Sequence, residues 1–174
     1  MIALGPERAE CLVFTYKDGL LSSIAHDLQL RVTRFAVELA DDASSVEARF
    51  EAGSLVVVGA MRNGVLAPDS LSTRDRHTIE RTIATDVLEV RRQAQIRFAS
   101  TSIARESDRA VISGTLALHG RSRPMTLEAK RQGDRWRARV TLDQRDFGIK
   151  PYTAMLGALR IKPEVTVEIS LPAP

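Results

Sequence analysis

A chain of 174 residues, 44% hydrophobic and 27% charged, has the balance of one soluble globular domain spanning residues 1–174, with enough mass for a real core. Its net charge of +3 comes from basic residues of which only Lys17, Lys130, Lys150 and Lys162 are lysine. The arginines are scattered, often at every second strand position as in Arg135, Arg137 and Arg139. This argues against a nucleic-acid partner and allows at most peripheral contact with an anionic membrane.

The first ten residues lack a basic segment followed by a long apolar stretch, and no run approaches a membrane span, so the expected location is cytoplasmic. Cys11–Tyr16 reads as a first strand, ended by the turn residues Lys17, Asp18 and Gly19. The single cysteine, Cys11, excludes an internal disulfide and reads as a buried structural thiol. Leu28–Ala40 is a longer strand whose apolar phase slips at Thr33 and Arg34, as a bend or bulge would require. Ser44–Glu51 and Ser54–Ala60 follow, parted by Gly53.

One helix interrupts the strands. Ile79, Ile83 and Val87 recur at helical spacing, and Ser72 with Asp75 three residues later fits a capping box. Ala94–Ala104 and Arg109–Leu118 return to strand periodicity, the latter turning Ile112, Gly114, Leu116 and Leu118 to one face. Gly120 and Pro124 are read as bracketing a hairpin loop before Met125–Arg131. Trp136–Asp143 and Val165–Leu171 complete the set, with a short helical piece expected at Thr153–Leu159. Roughly eight or nine strands joined by short turns imply a closed antiparallel barrel or a sandwich.

Signs of catalysis are few. His26, His77 and His119 show no local metal-ligand spacing, so no metal site is expected; His26 and His119 read as loop anchors and His77 as a helix-surface residue. Asp75 is accounted for by capping, and no nucleophile elbow, phosphate loop or Cys/His dyad is present. Phe147 reads as a core or pocket residue, with Gly148 giving the backbone room to turn.

Segments in the same order resemble the YceI-like family of polyisoprenoid-binding proteins. They are Ser22–Leu30 around His26, Thr73–His77, Asp86–Val90 leading to Ile96–Ser100, Gly114–Pro124, and Asp146–Ile149. Departures are Arg92–Ala94 where members carry Tyr-Pro, Gln144 where an Arg is usual, and Thr78 where a Leu is usual.

The resemblance implies an all-β fold with one or two short helices, an eight-stranded antiparallel lipocalin-like β-barrel with a lipid channel along its axis. It implies a non-catalytic role in sequestering or carrying an apolar lipid (a polyisoprenoid, an isoprenoid quinone or a fatty-acyl compound), with no cofactor and with a homodimer as the family-based expectation. The candidate lining is Phe50, Val56, Val58, Phe98, Leu116, Leu118, Val140, Leu142, Phe147 and Met155; the candidate rim is His26, Arg74, His77 and Arg145. Two rivals stand beside it: a small hydrolase or isomerase using the same His, Asp and Arg groups, and a filled barrel that binds a protein partner.

Overall fold

Alternation at period two builds most of this molecule: in Val46–Glu51 the buried Val46, Ala48 and Phe50 alternate with the exposed Glu47, Arg49 and Glu51. The computed structural model describes residues 1–19 and 26–173, so the Ser22–Ala25 part of the first motif lies outside it. In chain order the strands are β1 (Ile2–Leu4), β2 (Glu10–Thr15), β3 (Lys17–Asp18), β4 (Asp27–Val32), β5 (Phe35–Leu39), β6 (Val46–Glu51), β7 (Leu55–Arg62) and β8 (Val65–Ala67). After the helix α1 (Thr73–Thr82) come β9 (Gln95–Glu106), β10 (Arg109–Leu118), β11 (Arg121–Gln132), β12 (Arg135–Asp143), β13 (Thr153–Ala154), β14 (Leu159–Ile161) and β15 (Glu164–Pro172).

A 12-stranded antiparallel sheet contains all of these except β3, β13 and β14, which form a separate three-stranded sheet. The larger sheet reduces to eight staves. β4 and β5 are one strand bent at Thr33 and Arg34, β6 and β7 one strand bent at Ala52–Ser54, and β2 and β1 pair along the bent β4–β5 strand, β2 with β4 and β1 with β5; β8 is a flap on β7. Pairing then runs in a closed ring from β6 through β9, β10, β11, β12, β15, β2 and β4 back to β7.

Buried Ser54 fixes the bend. Its hydroxyl donates to the Glu51 carbonyl at 2.8 Å and accepts from Arg34 N at 3.0 Å, while its own carbonyl accepts from Thr33 Oγ1 at 2.8 Å. These bonds satisfy backbone groups that a broken ladder would leave bare. At β10, Gly114 lets the wall close on Phe98: a Cβ there would lie 2.5 Å from both the Phe98 ring and the Ala99 carbonyl.

Two turns differ from the sequence expectation. The β10–β11 hairpin closes in two residues, His119 and Gly120, both at positive φ (52° and 74°), and Leu118 already pairs with Arg121. Pro124 lies within β11, on the stretch where that strand has no ladder with β12, whose pairing is confined to Ala129–Gln132. A proline has no N–H to offer such a ladder. The helix expected at Thr153–Leu159 is instead the β13–β14 hairpin, with a single 3-10 turn at its tip.

The helix forms as its periodicity requires. Ser72 Oγ accepts from Asp75 N at 3.0 Å and donates to the Asp75 carboxylate at 2.7 Å. Ile79 and Ile83 pack against Leu28, Leu30, Val57, Ala60 and Leu71. Glu80 Oε1 accepts from Val57 N at 2.9 Å, beside the bulge where β7 slips register against β4. The helix ends in one wide π turn, with Leu88 N donating to the Ile83 carbonyl at 2.8 Å.

Candidate functional site

Inward side chains from all eight staves, joined by α1 and its π turn, leave a cavity of about 500 Å³ along the barrel. Such a volume lies within the roughly 300–1,000 Å³ of small-molecule sites. Its wall is overwhelmingly aliphatic and aromatic. The polar side chains on it, Thr15, His26, Thr78, Thr82, Gln144 and Tyr152, come from the end where α1 and the small sheet sit.

Of the candidate lining, Phe50, Phe98, Leu116, Leu118, Val140, Leu142 and Phe147 face this cavity. Val56, Val58 and Met155 do not. Leu55 and Val57 take the inward phase of β7, which leaves Val56 opposite the exposed Arg31 and Val58 at the bulge. Met155 stands 65% exposed at the hairpin tip. Sequence reasoning missed Trp136 and Ala138, which also line the cavity. Their signal was present: a solvated row of Arg135, Arg137 and Arg139 puts the residues between them on the inner face.

Of the candidate rim, only His26 lines the cavity. Arg74 occupies the exposed first turn of α1, and His77 lies on its solvent side. Arg145 is engaged by Asp143, with Nη2–Oδ2 at 2.6 Å and Nε–Oδ1 at 3.0 Å. Hydrogen bonds from the Arg145 side chain and backbone hold the Asp143 carboxyl below its usual range.

His119 is a structural clasp. Its Nε2 lies 3.0 Å from Glu89 Oε2, and its Nδ1 lies 3.3 Å from the Phe147 carbonyl. The clasp joins the β10–β11 turn to the segment after α1 and to the 3-10 turn Gln144–Phe147 that follows β12. Gly148, at φ 70°, ends that turn where a Cβ would meet the Arg121 guanidinium at 2.8 Å. Cys11 lies on the cavity wall, and burial pushes its thiol up to about 12, with the Glu10 carboxylate adding to the shift. Such a thiol is a poor nucleophile. Among the described residues, no group of three His, Cys, Asp or Glu side chains is placed to hold a metal ion. None of their helices is long and apolar enough to cross a membrane.

A family model described as the YceI-like domain matches residues 14–173. The chain belongs to the YceI-like family. Solved structures with the same fold include Burkholderia cenocepacia BcnA, at TM-score 0.64 and 12% identity over 95% of this chain and 96% of that one. A polyisoprenoid binding domain from Saccharophagus degradans, implicated in plant cell wall breakdown, matches at TM-score 0.60 and 14% identity, covering 95% of this chain and 94% of that one. Two curated relatives, UPF0312 proteins from Pseudomonas putida strains F1 and KT2440, are 34% identical over 88 residues. That match spans 44% of this chain and 44% of each relative.

Thr78 and Gln144 of this YceI-like chain both line the cavity. Gln144 is 8% exposed, and its Nε2 donates to the Lys162 carbonyl at 3.1 Å. Its Oε1 accepts from no described residue. No Lys or Arg is among the described residues that line the cavity, and residues 20–25 contain neither type.

Proposed function

We propose that this YceI-like barrel binds one long apolar lipid (a polyisoprenoid, an isoprenoid quinone or a fatty-acyl compound) in its lumen and carries it without chemical change. The observation that supports this reading is the cavity of about 500 Å³ with an almost wholly apolar wall. Binding exchanges the tail's contact with water for that wall. At ~0.8 kcal/mol per buried methylene, about ten carbons contribute on the order of 8 kcal/mol before ordering costs. The catalytic rival is weakened because His77 lies outside the cavity and Arg145 is occupied by Asp143. The filled-barrel rival is weakened by the cavity itself.

The head group in this reading is uncharged. A phosphate wants arginine or lysine, and the described lining supplies neither. It supplies Gln144 with an open Oε1 acceptor, His26 and threonine hydroxyls, which suit an alcohol or phenol. Trp136 is the only tryptophan and lines the cavity, so its fluorescence reports occupancy. Titration with farnesol is expected to shift Trp136 emission saturably, and farnesyl phosphate is expected to bind at least roughly ten-fold more weakly, the worth of about one charge-assisted contact. Equal or tighter binding of the phosphate would overturn the neutral-head reading. No binding of either compound, nor of a quinone or acyl lipid, would overturn the carrier reading.

A further inference from the structure

Three of the four lysines, Lys17, Lys150 and Lys162, gather around the small sheet at the polar end of the cavity, on residues the fold leaves exposed. Lys17 belongs to β3, which pairs with β14 through Ile161. Lys162 follows directly, its N–H donating to the Tyr16 carbonyl at 2.8 Å. Arg160 on β14 adds a fourth exposed cation, and none of the four forms an ion pair among the described residues. The acidic residues of this end include Asp18 on β3, Asp27, whose Oδ1 accepts from Lys17 N, Glu164 at the start of β15, its cross-strand partner Asp143, which Arg145 engages, and Asp146 in the turn that follows.

The β13–β14 hairpin carries an unusual tip. Met155 is 65% exposed and Leu156 fully so, and both hold positive φ, 55° and 57°, ahead of Gly157 at 87°. Bulky apolar residues rarely take the left-handed region. Here it holds two of them out into solvent while their neighbours Tyr152, Leu159 and Ile161 line the cavity. At the same end β7 reaches Asp27 through Met61, and its hairpin presents Val65, 67% exposed.

We propose that this end of the barrel docks onto an anionic bilayer surface. The Met155–Leu156 tip enters the boundary between headgroups and acyl chains, and Lys17, Lys150, Arg160 and Lys162 meet the anionic headgroups. An apolar insertion and a basic patch are the two signals that reversible surface binding needs together. Docking in this orientation sets the polar end of the cavity against the membrane, so that an apolar ligand enters without crossing water. Surface docking is independent of which ligand the lumen holds.

The test is flotation of the full chain with phosphatidylcholine vesicles, with and without roughly 30% phosphatidylglycerol. The chain is expected to float with the anionic vesicles alone and to be released by raised salt. The double variant Met155→Gly/Leu156→Gly suits the positive φ at both positions, so its fold is expected to be intact. It is expected to float at least roughly five-fold less while taking up farnesol from solution as before. Lys150→Gln/Lys162→Gln is expected to reduce flotation on anionic vesicles by a similar factor. The proposal is overturned if the unaltered chain fails to float, if it floats equally on neutral vesicles, or if the glycine variant floats undiminished. It is also overturned if the tip proves to be a self-association surface, seen as an oligomer in light scattering that the glycine variant abolishes.

Discussion

At the scale of single residues, Cys11 gives the sharpest handle on the interior. Its thiol is pushed from an ordinary 9.0 up to about 12, first by burial and then by Glu10. A raised pKa means that the folded state holds the proton more tightly than the unfolded chain does. The corresponding stability is fully present below pH 9.0 and is lost as pH climbs toward about 12. Cys11→Val is therefore expected to lose stability less steeply above pH 9.0 than the unaltered chain, as urea titrations at a series of pH values would record. In the native protein at neutral pH, an aromatic disulfide reagent is expected to label Cys11 orders of magnitude more slowly than in urea. Equal labelling rates would show that the β2 wall is not closed.

At the scale of elements, the clasp at His119 ties three segments that the ladders do not join. The side chain is 13% exposed and its partner Glu89 is 43% exposed, so the pair is screened only in part. His119→Asn retains a residue that tolerates φ 52° but removes the reach to Glu89. It is expected to cost about 1 kcal/mol in chemical denaturation. Glu89→Ala in the same background is expected to add little, and full additivity of the two would show that they do not interact.

The strands themselves were largely legible, because most staves alternate over much of their length and the slip at Thr33 and Arg34 announced the bend. What was not legible has local physical causes. The bulge in β7 displaced Val56 and Val58 from the inner face, and bulges leave no mark in composition. Pro124 looks like a turn residue and lies in a strand because β11 has parted from β12 there. The Thr153–Leu159 hairpin turns through Met155 and Leu156 before it reaches Gly157, and two bulky apolar residues at the head of the tip read as helix rather than turn. At the cavity mouth, a neighbouring acid two residues back decided the fate of Arg145, an interaction that spacing alone does not rank.

At the scale of the whole molecule, a ring of eight staves whose inward residues are mostly Val, Ile, Leu and Ala encloses a chamber rather than a packed plug. Aromatic residues are only 5% of the chain, and branched aliphatic side chains reach less far across an eight-stranded interior than rings would. Ala138 is one of the small positions on that wall, flanked along β12 by Trp136 and Val140. Ala138→Phe is expected to keep the fold and shrink the chamber.

Native mass spectrometry of the freshly purified full chain, with organic extraction of whatever accompanies it, tests the carrier reading most directly. The expected result is a one-to-one apolar adduct that is lost on denaturation, carries no phosphate, and is absent or depleted in Ala138→Phe. A bare protein mass that stays bare after incubation with prenyl alcohols, quinones and acyl lipids would contradict it.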